Sequence, residues 1–204
     1  TTDRIQTTHI GSLPRPPELV EFFEQAQAGE QLDEDRFRQV VGEATRSVVQ
    51  RQADVGIDIG NNGEQPRIAF NFYAANRLSG FDGQSTTYFW ADLEDYPTYA
   101  EKAFDTVDVD LKTRPAAVGP VEYEGTDAAI AEIEGFRQAL ESVDASFEDT
   151  FFTAASPGVI ATSLGNEHYD TYEEYLFDIV DAIAEEYALI AEHTDGYLQL
   201  DSGE

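Results

Sequence analysis

The stretch Thr7-Thr8-His9-Ile10-Gly11-Ser12-Leu13-Pro14-Arg15-Pro16 decides how this chain folds. A short apolar step breaks at a glycine and stops in prolines. We interpret it as a strand end followed by a tight loop, in which Gly11 lets the backbone approach a ligand and Ser12 offers a hydroxyl and an N–H. Pro16 or Pro17 then takes the first helical position, where a missing N–H costs nothing. Taken alone, the same pattern also fits an ordinary loop.

Apolar periodicity predicts several helices in the rest of the chain. They run from Glu18 to Ala28, from Asp33 as N-cap to Val55, onward from a cap at Thr126, and from about Thr171 to His193. The last carries an apolar stripe opposite an acidic face, and that acidic face consists of Glu173, Glu174, Asp181, Glu185 and Glu192.

Strand-like runs alternate with these helices, at Ile57–Ile59 and Phe151–Ala155 among others. This alternation predicts an α/β fold with a parallel sheet, about five strand–helix units, and one domain covering 1–204. Between Phe81 and Lys112 the pattern is irregular and rich in aromatic residues. We interpret that segment as a long loop or insertion.

Charge is the second strong signal. The chain has 12 Lys and Arg against 41 Asp and Glu, a formal net charge of −29. The acids are spread over helix faces and not gathered in blocks, which favours a folded protein over an acidic tail. Self-repulsion of this size needs screening, and the Debye length falls to about 3 Å at 1 M salt. We therefore expect the cytosol of a salt-accumulating halophile, and no nucleic-acid partner.

Composition also narrows the class of protein. There is no cysteine, no 18-residue apolar run and no basic-then-apolar leader, so we expect a cytoplasmic protein without a membrane span. Phosphate loops, dinucleotide glycine fingerprints and a serine–histidine–acid order are missing from the sequence.

Three separated segments together resemble the cobalamin-independent methionine synthase family, specifically its C-terminal catalytic barrel and short barrel-only homologues. They are the Ile10-Gly11-Ser12 loop, Asn62-Gly63-Glu64, and Leu198-Gln199-Leu200-Asp201. Further matches are Arg77-Leu78-Ser79-Gly80-Phe81, Gly119-Pro120-Val121-Glu122-Tyr123 and Ala154-Ala155-Ser156-Pro157-Gly158. The resemblance implies a (β/α)8 TIM-barrel type fold, of which this sequence carries the N-terminal part.

The resemblance also implies an activity, the transfer of a methyl group from methyl-tetrahydrofolate or a related donor to homocysteine, giving methionine. Matched residue by residue, the implied homocysteine-binding residues are Ile10, Gly11, Ser12, Glu64 and Asp201. The implied residues of the pterin or methyl-donor side are Ser156, His168 and Arg114.

Strand-end positions support this grouping independently. Ser12, Glu64, Ser156 and Asp201 each come just after a strand-like run, where α/β barrels keep their ligand-binding residues. The chemistry also suits a zwitterionic amino acid. Its ammonium group needs carboxylates such as those of Glu64 and Asp201, and its carboxylate needs donors such as Ser12 and the loop backbone.

The histidines and arginines leave alternatives open. His9 either touches the ligand or bonds within its own loop, and His168 is either a donor-side residue or a helix-entry residue. His193, at a helix C-terminus, is interpreted as structural. Arg67 and Arg77 either clamp the carboxylates of a folate tail or pair with surface acids, and Arg114 is equally ambiguous.

Zinc marks the limit of the resemblance. The family binds zinc through one His, two Cys and one Glu that follow the Leu-Gln-Ile-Asp strand, and the metal activates the substrate thiol. This sequence has no cysteine and ends at Glu204, and its three histidines match no local zinc motif. We therefore expect no metal ligands in it. The alternative to an active enzyme is a truncated, non-catalytic remnant or half-barrel that binds an amino acid or pairs with a second polypeptide carrying the zinc site.

Overall fold

After two N-terminal helices, strands and helices alternate along the chain, as the sequence pattern predicts. The computed structural model describes residues 4–68, 70–85, 95–105, 114–144 and 146–202. The helices are α1 Pro17–Gln27, α2 Glu34–Asp54, α3 Phe70–Ala75, α4 Pro97–Asp105, α5 Thr126–Ser142, α6 Pro157–Ser163 and α7 Tyr172–His193. The strands are β1 Ile59–Gly60, β2 Phe81–Ser85, β3 Arg114–Ala117, β4 Asp149–Ala155, β5 Gly165–Asn166 and β6 Tyr197–Asp201.

Helix starts follow the capping chemistry in most places. Pro17 is the first residue of α1, and the Asp33 side chain caps α2 by accepting from the Arg36 N–H. A capping box formed by Thr171 and Glu174 opens α7. The predicted cap at Thr126 is wrong: the N-cap of α5 is Gly125, which has no side chain to accept a bond.

One sheet is parallel throughout, with β1 beside β4 and β4 beside β6. Thr8 extends it through a parallel bridge to Ile59, so the strand end predicted before Gly11 is confirmed. The β4–β6 register runs from Phe151 opposite Tyr197 to Ala155 opposite Asp201. Because all these segments run in the same direction, their carboxyl ends meet at one edge of the sheet.

A second sheet departs from the sequence prediction. β2 pairs antiparallel with β3, and β3 pairs parallel with β5. The described strands therefore form two sheets and not a single series of about five parallel units. The interpretation of 81–112 as irregular is wrong at β2 and α4. The aromatic residues 88–90 lie outside the described residues.

The core lies between the parallel sheet and the helices packed on it. Ile179, Ile183 and Ile190 of α7 are fully or almost fully buried, while the predicted acidic face of α7 is exposed. A smaller cluster joins α1 to α2 around Leu19. Among the described helices, none combines the length and apolarity needed to cross a membrane.

Asp58 fastens the N-terminal segment to the start of β1. Its Oδ2 accepts from the Thr7 N–H at 2.7 Å and from the Thr7 hydroxyl at 2.9 Å, and Arg4 pairs with the same carboxylate. The hydrogen bond from Arg4, aided by Thr7, holds the pKa of Asp58 well below its usual range. This anchor fixes the loop that begins at His9.

Candidate functional site

The predicted strand-end residues lie along the carboxyl edge of the parallel sheet. Ser12 follows the bridge at Thr8, and Glu64 follows β1. Ser156 comes directly after β4, and Asp201 is the last residue of β6. Ligand sites in parallel α/β folds form at this edge, on the loops beyond the strands.

Ser12 and Glu64 are in direct contact. The Ser12 hydroxyl donates to Oε2 of Glu64 at 2.7 Å, although 52 residues separate the two. Glu64 is 5 % exposed, and its second oxygen, Oε1, is buried and accepts no hydrogen bond from the described residues. Since a buried carboxylate oxygen without a donor is costly, Oε1 is a natural acceptor for a cationic or N–H-bearing ligand.

Glu64 also has an unusual backbone. Its φ of 53° makes it the one non-glycine residue at positive φ among those described, a conformation worth about 1–3 kcal/mol of strain. Gly63, just before it, has a φ of 60°, and a Cβ there would lie 3.0 Å from Cδ1 of Leu13. The turn thus places the Glu64 side chain against the Ser12 loop, at a conformational cost.

Two asparagines hold this turn. Asn61 Oδ1 accepts from the Gly63 N–H at 2.8 Å, and Asn62 Oδ1 accepts from the Glu64 N–H at 2.9 Å. Asn61 also donates to the His9 carbonyl at 2.6 Å, which ties the turn to the N-terminal loop. Asparagine favours such side-chain-to-backbone bonds, so the Asn-Asn-Gly sequence explains the local shape.

Arg15 clamps the same two loops together. Its Nη2 donates to the Glu64 carbonyl at 2.9 Å and to the Arg67 carbonyl at 2.5 Å, and lies 3.3 Å from the Ser12 hydroxyl. Burial lowers the pKa of Arg15, and the charge of Glu64 acts in the opposite direction. Sequence reasoning quoted Arg15 within the loop motif but gave it no role.

Ser156 and Asp201 are neighbours of each other. The Ser156 N–H donates to the Asp201 carbonyl at 2.9 Å, while the Ser156 hydroxyl caps α6 by accepting from the Val159 N–H. Asp201 is half-buried. Within the described residues, no hydrogen bond joins this pair to Ser12 or Glu64, although both pairs lie at the same edge of the sheet.

The remaining candidates are distributed differently. Ile10 is exposed, Gly11 has a φ of 83°, and the His9 ring contacts the Gly11 carbonyl at 3.0 Å, as in the loop-internal alternative. His168 lies in the loop between β5 and α7, beside the Tyr169 ring. Arg114 begins β3, in the other sheet, and donates to the Ser163 carbonyl at 3.0 Å. No described contact connects His168 or Arg114 with Ser12 or Glu64.

Beneath the turn lies a buried charge network, defined as Arg67, Arg77, Glu132 and Glu186. Arg67 Nε lies 2.9 Å from Glu132, Arg77 also pairs with Glu132, and Arg77 Nη1 lies 2.9 Å from Glu186. Two cations balance two anions in the interior. Of the sequence interpretations of Arg67 and Arg77, the ion pair with acids is confirmed, but these acids are buried and not at the surface.

Tyrosines complete the network. Tyr73 and Tyr123 donate to Glu186 at 3.2 and 3.0 Å, and the Arg67 guanidinium carbon lies 4.1 Å from the centroid of the Tyr73 ring. Burial raises the pKa of both tyrosines. Burial alone would raise the pKa of Glu132, but the attraction of Arg67 and Arg77 outweighs it and lowers that pKa. Glu132 is therefore an anion at neutral pH.

The described residues do not offer a set of ligands that fits zinc. Among the described residues, no group of three or more His, Asp or Glu side chains is arranged to hold a metal ion. Glu132 is occupied by arginines, and His9 and His168 lie in separate loops.

The fold is α/β, with Ser12, Glu64, Ser156 and Asp201 at the carboxyl edge of a parallel sheet, and comparisons with known proteins agree on the fold. No family model matches the chain. Curated proteins named methionine synthase do: those of Thermococcus kodakarensis and Pyrococcus furiosus are each 26% identical over 197 residues, covering 97% of this chain and 52% and 51% of theirs. The Saccharolobus solfataricus protein is 25% identical over the same share of this chain.

Solved structures show the same fold. A B12-independent methionine synthase from a Shewanella species, in complex with selenomethionine, superposes with a TM-score of 0.66 at 20% identity, covering 96% of this chain and 51% of that one. A putative B12-independent methionine synthase from Listeria monocytogenes gives 0.59 at 17%, covering 99% and 57%. The resemblance predicted from the sequence is thus confirmed. The chain spans about half the length of the curated relatives it matches.

Proposed function

We propose that this chain provides the homocysteine-binding portion of a methionine synthase. In this proposal residues 1–204 form one domain, which is the N-terminal part of a (β/α)8-type barrel. The observation that carries the proposal is the Ser12–Glu64 pair at the carboxyl edge of the parallel sheet, in which Oε1 of Glu64 is buried and has no donor among the described residues. The curated relatives named methionine synthase support it.

Each residue has a chemical task in this proposal. Oε1 of Glu64 accepts a hydrogen bond from the substrate ammonium, with the Asp201 carboxylate as its second anionic partner. The N–H groups of Gly11 and Ser12 donate to the substrate carboxylate, the Ser12 hydroxyl stays bonded to Oε2 of Glu64, and Ile10 borders the site. Charge-assisted bonds of this kind are about twice as strong as neutral ones.

The second substrate in the proposal is methyl-tetrahydrofolate or a related methyl donor, held on the side of Ser156, His168 and Arg114. Zinc would supply activation of the substrate thiol, but the described residues do not fit it. A cytoplasmic location and a salt-rich cell interior accompany the proposal, supported by the cysteine-free, acidic composition.

A second candidate is a non-catalytic half-barrel that binds the amino acid or pairs with a second polypeptide carrying the zinc site. The observation in its favour is that the described residues hold no metal-binding group. Methyl transfer separates the two candidates. An enzyme forms methionine from homocysteine and the methyl donor, whereas a half-barrel binds homocysteine and forms none until the second polypeptide is added.

Calorimetric titration with L-homocysteine tests the binding site. The unmodified chain should bind, and Glu64→Gln should weaken binding by about 1.5–3 kcal/mol, the range for a hydrogen bond to a charged group. Glu185→Gln, the same change on the exposed face of α7, is the matched control and should leave affinity unchanged. Equal affinity of the Glu64 variant and the unmodified chain would remove Glu64 from the site.

A further inference from the structure

We propose that Asn62, anchored by Glu132, is a positioning residue that holds Glu64 in the conformation that presents its free oxygen to the ligand. This inference rests on the proposed function. It assigns roles to two residues from different parts of the chain, one in the turn after β1 and one in the middle of α5.

The contacts form a continuous relay. Oε1 of Glu132 accepts from Nδ2 of Asn62 at 2.9 Å, and Oδ1 of Asn62 accepts from the Glu64 N–H at 2.9 Å. Glu132, Asn62 and Glu64 are all buried. Water is therefore a poor substitute for any of these bonds, and breaking one leaves a buried group unsatisfied.

The Glu64 backbone needs this support. With a φ of 53°, Glu64 lies in a region that favours glycine, and such a conformation persists only when its surroundings over-determine it. The Asn62 bond to its N–H fixes the peptide plane that enters Glu64. A rotation of that plane would swing the side chain away from Ser12, and with it Oε1, which has no partner among the described residues.

Glu132 determines which way the Asn62 amide faces. The two arginines keep Glu132 ionised, and an ionised carboxylate only accepts hydrogen bonds. It therefore selects the amide orientation with Nδ2 toward Glu132, and this leaves Oδ1 pointing at the Glu64 N–H. The buried charge network thus sets the polarity of the relay that ends at the ligand.

The first test is a cycle of binding measurements with L-homocysteine on the full chain. Asn62→Ala should weaken binding at least tenfold in the otherwise unmodified protein. In the Glu64→Gln background the same change should have little further effect, because the carboxylate on which Asn62 acts is gone. An equal loss in both backgrounds would overturn the relay, as would unchanged affinity of Asn62→Ala.

A control separates positioning from general loss of stability. Thr171→Ala removes the capping hydroxyl of α7, far along the chain from the turn, and should destabilise the fold without changing homocysteine affinity. If Thr171→Ala weakens binding as much as Asn62→Ala, the effect follows stability and the positioning role is wrong.

The second test needs no ligand. The Glu64 amide should exchange with solvent deuterium slowly in the unmodified chain and at least tenfold faster in Asn62→Ala. Ala154, a buried residue of β4, is the internal reference, and Thr171→Ala should leave the ratio of the Glu64 to the Ala154 exchange rate unchanged. Unchanged Glu64 exchange in Asn62→Ala would overturn the relay. If the unmodified chain binds no homocysteine but the Glu64 amide still exchanges faster in Asn62→Ala, the proposed function is wrong and the relay stands.

Discussion

Two buried glutamates, Glu132 and Glu64, differ in how their charge is met. Both oxygens of Glu132 are engaged by arginine and asparagine side chains, within a network that is electrically neutral. Glu64 receives only the Ser12 hydroxyl on its carboxylate, and Oε1 receives nothing from the described residues. The two carboxylates are thus similarly buried, and what distinguishes Glu64 is an acceptor oxygen that has no donor among the described residues.

The excess negative charge of the chain lies outside the buried charge network. The chain carries 41 acids against 12 basic residues, and four charges of the buried network cancel one another. The excess therefore lies elsewhere, much of it on exposed helix faces such as that of α7. Salt screens exposed charges far more than buried ones.

The largest expected effect is that of salt on the whole fold. We expect native structure in about 1 M KCl, where the Debye length is about 3 Å, and loosening in dilute buffer, where repulsion among the acids is unscreened. Circular dichroism across a salt series measures this. A native spectrum that persists in dilute buffer would contradict the halophile prediction.

Next in size is the cost of disturbing the network. Glu132→Gln leaves Arg67 and Arg77 buried without their shared anion, so the free energy of unfolding should fall by about 3–5 kcal/mol. Urea denaturation in high salt measures it. The paired control is Glu64→Gln, in which the amide oxygen still accepts from the Ser12 hydroxyl and only the carboxylate charge is lost, so it should cost about 1 kcal/mol. Equal costs for both variants would erase the difference between the two glutamates.

A smaller effect is expected from pH. Because the folded-state pKa of Glu132 is lowered, its contribution is fully present above the ordinary carboxyl pKa of about 4.3 and is lost as pH falls through the lowered value. The stability difference between the unmodified chain and Glu132→Gln should therefore shrink in acid. Thermal unfolding in high salt from neutral to acidic pH would show it, and a difference that stays constant would refute it.

The sequence predicted the part of the candidate site that follows the carboxyl ends of parallel strands. Ser12 and Glu64 each follow a strand-like run, and parallel strands bring such residues to one edge, so their contact was predictable. Asn62 was quoted beside Glu64, yet its role depends on a partner 70 residues away. Nothing local in the sequence indicates that partner.

The burial of Glu132 and Glu186 could have been predicted from the apolar periodicity of their helices. Glu186 lies between Ile183 and Ile190 on the apolar stripe of α7, and Glu132 adjoins Ile133 on α5. An acidic residue on a buried stripe needs a buried cationic partner, and Arg67 and Arg77 are those partners here. The β2–β3 pairing was harder to predict, because Phe81–Ser85 contains polar residues and a glycine of low strand propensity and forms by pairing with β3.

The most direct test of the central claim compares two ligands on two proteins by calorimetry. The ligands are L-homocysteine and 4-sulfanylbutanoate, which lacks the amino group, and the proteins are the unmodified chain and Glu64→Gln. If Oε1 of Glu64 holds the ammonium, the unmodified chain should prefer homocysteine by about 1.5–3 kcal/mol or more, and Glu64→Gln should lose most of that preference. An undiminished preference in Glu64→Gln would contradict the account.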